Sequence, residues 1–232
     1  MKTQNLFLNK LKFILPTGVM FALMAITACD TQNTTQQKNR HSNQTSDNIA
    51  NHDEIDSHCS DLKYHWSQSY PIPLYFHESF PTEYIPIFKN AMARWESTLQ
   101  QSLFTLQAEV IVSSVIPDPS DKKNVIYWIT TTNTNLASSE QGRVEFSLNS
   151  INDQILEADM LINATFTNFQ FFTDTPRTTN DVHLESLFIH ELGHMLGLKH
   201  STSETSVMKR RLKAKEQRIN ITSEDVSQFH CK

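Results

Sequence analysis

The sequence predicts a single α+β domain, and three observations carry that expectation. The apolar positions Ile85, Phe88, Met92, Trp95 and Leu99 advance in alternating steps of three and four, so a helix would gather them on one face. Residues 109–115 and 125–130 are rich in β-branched and aromatic side chains and read as strands. Leu184, Leu187, Phe188, Leu192 and Met195 repeat the helical spacing in a second segment. Pro86 belongs in the first turn of the first helix, where its missing N–H costs nothing.

The second helix carries the chemistry, in the run His190-Glu191-Leu-Gly-His194-Met-Leu-Gly197-Leu-Lys-His200. Four residues separate His190 from His194, so a helix stacks their imidazoles one turn apart, able to share one Zn2+ at roughly 2.0–2.1 Å each. A straight helix would carry His200 past the ion. Gly197 can take the left-handed conformation that stops the helix and turns His200 back as a third ligand. Three ligands leave a fourth position to water, as catalytic zinc sites do, and Glu191 stands where it can accept that water's proton and pass it on. This is the chemistry of peptide hydrolysis. His183 lies two turns before His190, roughly 10 Å away on a helix, and is read as structural.

The whole run, followed by Ser206-Val207-Met208, resembles the metzincin metallopeptidases, and within them the matrixin branch. The resemblance covers nearly all of residues 59–232. It implies a zincin-type catalytic domain: a twisted, mixed five-stranded sheet with one antiparallel edge strand, an active-site helix, a Met-turn and a short C-terminal helix. Met208 would be the apolar floor beneath the three histidines. Residues 72–76 look like the first strand. Residues 142–148 fall where matrixins place the edge strand above the zinc, so the main chain of Arg143, Val144, Glu145 and Phe146 would pair with an extended substrate. Residues 157–163 would be the next strand, and the active-site helix would start near Asn180 or Asp181.

Ser186, four residues before His190, matches the position that often sets the depth of the primed-side pocket. The loop 209–218 would form that pocket's wall. Lys209 and Arg210 stand where the family has Tyr-Pro, and six of the loop's ten residues are basic, which suits either an acidic substrate residue or simple solvation. Thr222 reads as the N-cap of the closing helix, with Asp225 three residues on. Between Thr130 and Asn180 there is no histidine and only Gly142, so the structural zinc and glycine-rich calcium loop of matrixins lack ligands here. One catalytic zinc and no structural calcium are expected.

Residues 1–28 read as an export leader: Lys2, Lys10 and Lys12 precede an apolar run from Phe13 to Ala25, too short for a comfortable membrane span. The run ends in Ile26-Thr27-Ala28-Cys29, which resembles the lipobox of bacterial lipoproteins. That resemblance implies cleavage before Cys29, lipid on its sulfur and a place in the bacterial cell envelope. Residues 29–58 are nearly free of large apolar side chains and read as a polar tether, leaving 59–232 as the domain. Cys59 and Cys231 then remain for a disulfide. The competing reading makes Cys59 a thiolate cap on the zinc, although His58-Cys59-Ser60-Asp61 lacks the Pro-Arg-Cys-Gly of latent matrixins.

The formal charge is −5, and −8 once the leader's three lysines have gone, which argues against a nucleic-acid partner. The expected partners are a protein or peptide substrate and a membrane, with the chain a monomer. The leading reading is a lipid-anchored zinc endopeptidase. Its rival, an inactive zinc-containing peptide-binding surface lipoprotein, has no use for Glu191.

Overall fold

The computed structural model describes residues 64–131, 136–165 and 169–230, together with the backbone of 23–27. Its strands are β1 (Leu23–Thr27), β2 (Ile72–His77), β3 (Phe104–Ile111), β4 (Asn124–Ile129), β5 (Gly142–Leu148), β6 (Ile155–Asn163), β7 (Phe171–Phe172) and β8 (Val182–His183). The helices are α1 (Ile85–Leu99), α2 (Leu184–Met195) and α3 (Ser223–His230). Strands β5-β6-β4-β2-β3 form the expected mixed five-stranded sheet, in which only β5 runs antiparallel to its neighbour in that series. Residues 23–27 add β1 as a sixth strand, antiparallel along the outer edge of β5. The expectation of an open edge at β5 is therefore corrected: in this chain that edge is already paired.

α1 follows from its apolar stripe. Phe88, Met92, Trp95 and Leu99 are buried, Ile85 half so, and Pro86 occupies the first turn. The helix stops at Gln100, whose φ of 52° is left-handed. α2 is buried on nearly every side, as befits a helix at the centre of a domain rather than on its surface. An aromatic ladder joins sheet to helices, with centroids 4.4 Å apart for Phe76 and Phe80, 5.3 Å for Phe76 and Phe88 and 5.1 Å for Phe88 and Phe188. The indole N–H of Trp95 donates to Ile189 O at 2.9 Å, and that of Trp66 to Met195 O at 2.7 Å. Both tryptophans thus pin α2 while burying their rings.

Two boundaries differ from the sequence reading. The strand expected over 109–115 lies earlier, at β3, because Leu103 and Phe104 anchor its start in the core and Glu96 accepts both of their N–H groups, at 2.9 and 3.1 Å. Val112 and Val115 fall beyond the strand and are exposed. α2 begins at Leu184, not near 180. The Asp181 carboxylate is engaged upstream, accepting the N–H groups of Arg177 and Thr178 at 2.6 and 3.0 Å. Val182 and His183 pair with β7, so capping passes to His183. Among the described residues no helix is long and apolar enough to cross a membrane.

Candidate metal centre

α2 places His190 and His194 one turn apart on its buried face. The helix ends there, and Gly197, at φ +89°, reverses the chain toward His200 as expected. A side chain at 197 is excluded twice, because its Cβ would also meet Tyr64 O at 2.7 Å. The Nε2 of His194 lies 3.1 Å from Nε2 of His190 and 3.2 Å from Nε2 of His200. His190 directs Nδ1 at Val207 O and His194 directs Nδ1 at Leu198 O, both at 2.8 Å. A carbonyl only accepts, so these Nδ1 atoms carry the protons and each Nε2 presents a bare lone pair.

Lone pairs held this close repel unless a cation lies between them. The spacing suits zinc, since bonds of roughly 2.0–2.1 Å in a tetrahedron put neighbouring ligand atoms about 3.3 Å apart. Among the described residues this is the one group of three His, Cys, Asp or Glu side chains close enough to hold an ion. Burial also keeps the imidazoles neutral, as ligands must be. It lowers His190 to about 4 and His200 to about 3, and holds His194 well below its ordinary value, with the neighbouring histidines adding to the effect on the last two.

Glu191 is fully buried beside this cluster, and neither carboxyl oxygen has a hydrogen-bond partner among the described residues. Burial first, then the nearby charge of Glu140, pushes its pKa well above the carboxylate range, while Arg143 opposes them. The carboxyl reaches its place over Gly142, where a Cβ would lie 2.5 Å from Oε1. Gly142 is thus a site residue that spacing alone did not reveal.

Met208 is fully buried, and its sulfur lies against Gly193: a Cβ there would meet Sδ at 2.2 Å. The glycine inside the histidine motif therefore makes room for the methionine. The turn is held by a residue that reading assigned only to a helix cap. Asp225, fully buried, accepts from Ser206 Oγ, from Val207 N at 3.3 Å, and from Thr222 N and Oγ1 at 2.8 and 2.7 Å. The Thr222-x-x-Asp225 spacing predicted the cap; nothing local in the sequence signalled the second job.

The remaining expected residues are placed as follows. Val144 and Phe146 bury their side chains in the core between sheet and helices, whereas Arg143 and Glu145 alternate to the opposite face. There Arg143 bridges Glu140 and Glu145 in a buried ion triad. All four could offer a peptide only their main chain. Ser186 is buried, and its hydroxyl accepts Arg218 N–H at 2.7 Å, tying α2 to the basic loop. Arg218 itself is buried and paired with Glu216, and Lys209 pairs with Glu204, so part of the loop's charge is neutralised internally. His183, read as structural, is buried at the N-cap of α2 and accepts Ser186 N–H at 3.3 Å. Cys29, Cys59 and Cys231 lie outside the described residues.

Comparison with known proteins agrees with this geometry. The chain is 44% identical over 46 residues to metalloendoproteinase 1-MMP of Arabidopsis thaliana, a stretch covering 20% of this chain and 13% of the relative. It is 42% identical over 48 residues to metalloendoproteinase 2-MMP of the same plant, covering 21% and 13%. The matched stretches thus span only a small part of those relatives' length. The matrixin family model, in contrast, matches residues 34–230, a span that includes β2–β8 and the histidine cluster. By that match the chain belongs to the matrixin family.

Proposed function

We propose that this protein is a zinc-dependent endopeptidase acting on extended protein or peptide segments. The observation that carries the reading is the convergence of three neutral imidazoles beside a buried carboxyl that has no hydrogen-bond partner among the described residues. His190, His194 and His200 would hold the zinc, which supplies an acidified water and a charge that polarises the peptide carbonyl. Val207 O and Leu198 O fix the ring orientations of His190 and His194. Glu191, whose burial favours the protonated carboxyl, takes a proton at its carboxylate and delivers it to the departing amine. Once residues 23–27 have left with the leader, the main chain of β5 orients the substrate as an added strand ending near Glu191.

The cellular setting belongs to the same proposal. Residues 1–28 act as a leader and Cys29 carries lipid. Residues 29–58 tether the domain to a bacterial envelope membrane, and Cys59 and Cys231 close a disulfide in a compartment where such bonds persist. The domain works as a monomer and takes one zinc.

The test is Glu191→Gln, which leaves the imidazoles untouched. Zinc stoichiometry should stay near one while cleavage of a denatured protein falls at least about a hundredfold, in line with the loss of a general base. Near-parental, chelator-sensitive cleavage by the variant would refute the role of Glu191. Zinc binding with no cleavage by the parent would favour the peptide-binding alternative.

A further inference from the structure

A chain of buried hydrogen bonds runs from the N-cap of α2 to the basic loop 209–218. His183 directs Nε2 at Thr173 O, 3.2 Å away; a carbonyl only accepts, so Nε2 carries the proton and Nδ1 is left as an acceptor. Ser186 uses that acceptor twice, with its N–H at 3.3 Å and its hydroxyl at 2.8 Å. The hydroxyl oxygen, oriented in this way, takes the N–H of Arg218 at 2.7 Å. Arg218 in turn brings its guanidinium to Lys209 O and Arg211 O, each at 3.5 Å, and so draws the two ends of the loop together. Lys215 N–H donates to Asp181 O at 2.8 Å, and Gln141 Nε2 donates to Leu212 O at 3.1 Å. The loop therefore lies between the start of α2 and the start of β5, the end at which the Glu191 carboxyl is lodged.

We propose that His183 is a positioning residue for substrate: its Nδ1, acting through Ser186 and Arg218, holds loop 209–218 against the groove. This rests on the peptidase reading, in which that loop walls the groove. Both ring nitrogens of an imidazolium donate, so protonation would take the acceptor away from the N–H and the hydroxyl of Ser186 together. It would also place a positive charge at the N-terminus of α2, where the helix dipole opposes it. Burial holds His183 below its ordinary pKa, and Arg94 on α1 acts the same way, while Thr173 O, Glu185 on α2 and Asp174 beyond β7 act against them. Phe172 covers the ring, with centroids 5.1 Å apart. The docked loop thus favours the neutral imidazole, so docking is full above the ordinary value of 6.5 and weakens as pH falls below it.

The experiment compares the full zinc-loaded chain with His183→Asn and His183→Ala. Asparagine is a favoured N-cap whose carbonyl can accept the Ser186 bonds and cannot titrate, whereas alanine removes the acceptor. Amide hydrogen exchange is read at Lys215 and Arg218, relative to an unstructured chain at the same pH. Protection should fall about tenfold in the parent between about pH 7 and 5, stay within about twofold in His183→Asn, and be low throughout in His183→Ala. KM for a reporter peptide should rise about tenfold over that interval in the parent and by less than about twofold in His183→Asn, with parallel kcat profiles. The metal ligands titrate alike in both proteins, so the difference reports residue 183. Protection that ignores pH in the parent, or that falls equally in His183→Asn, would overturn the role of His183. So would a His183→Asn chain as poorly protected at pH 7 as His183→Ala. Protection that follows the expected pattern while KM does not would overturn the positioning of substrate. If no chain cleaves while the protection pattern holds, the link from His183 to the loop stands and the peptidase reading fails.

Discussion

The two faces of the sheet bury titratable groups to opposite ends. The face under α1 and α2 is apolar and aromatic, and the imidazoles at its margin are kept neutral by burial so that their lone pairs are available. The other face has a small cluster, Ile111, Val125, Tyr127, Ile129 and Leu161, and beside it the carboxyls of Glu157 and Asp159 on β6. Asp159 accepts Val125 N–H at 2.9 Å and Glu157 accepts Lys122 N–H at 3.0 Å. Burial raises Asp159 to about 9 and Glu157 to about 7, and the mutual proximity of Glu157, Asp121, Glu145 and Asp118 adds to it. Neutral groups on the helical face serve a metal; neutral groups on the other face organise the approach to β4. Substitutions on the first should therefore move zinc and activity, and those on the second only stability and its pH dependence.

Asp225→Ala should give the largest effect. It strands buried donors from Ser206, Val207 and Thr222, at a cost of about 3 kcal/mol for the set. Because Val207 O orients His190, zinc affinity should fall about tenfold or more, measurable by chelator competition. Unaltered zinc affinity would detach the clasp from the metal centre.

Gly193→Ala should come next. The new methyl overlaps Met208 Sδ and sits 3.0 Å from Trp95 Cζ2, an overpacking that costs about 1–3 kcal/mol. Calorimetry should show a lower melting temperature, together with weaker zinc retention. A variant as stable as the parent would mean that the methionine can withdraw from Gly193.

Asp159→Asn should be the mildest and should act on the other face alone. A carboxyl whose pKa rises on folding from 3.8 to about 9 gives stability that is whole below about pH 4 and is lost as pH climbs toward 9. The amide keeps an acceptor for Val125 N–H and cannot ionise. Denaturant titrations should therefore show a flatter decline from pH 5 to 9, with the variant the more stable at pH 8 and its zinc content and turnover within about twofold of the parent. A pH profile parallel to the parent's would contradict the buried, neutral Asp159.

What could be read from the sequence follows from how local each feature is. His190, His194, Gly197 and His200 encode their geometry within a helix and one turn, so the convergence of the three histidines was legible. Helix α1 was legible from its stripe. The start of α2 was not, because Asp181 offers cap chemistry that the fold spends on Arg177 and Thr178 instead. β3 was misplaced because Val112 and Val115 look like strand residues but lie past the point where β2 ends its pairing. The clasp of Asp225 on the Met-turn and the lodging of Glu191 over Gly142 join segments far apart in sequence, and periodicity carries no record of such contacts.

The clasp also sets an order on biosynthesis. All three histidines leave the ribosome before Asp225 does, yet the carbonyl that fixes His190 belongs to a turn that Asp225 holds in shape. A nascent chain ending before α3 would carry every ligand without the means to aim them. Metal capture in the native geometry therefore waits on the segment that carries Asp225.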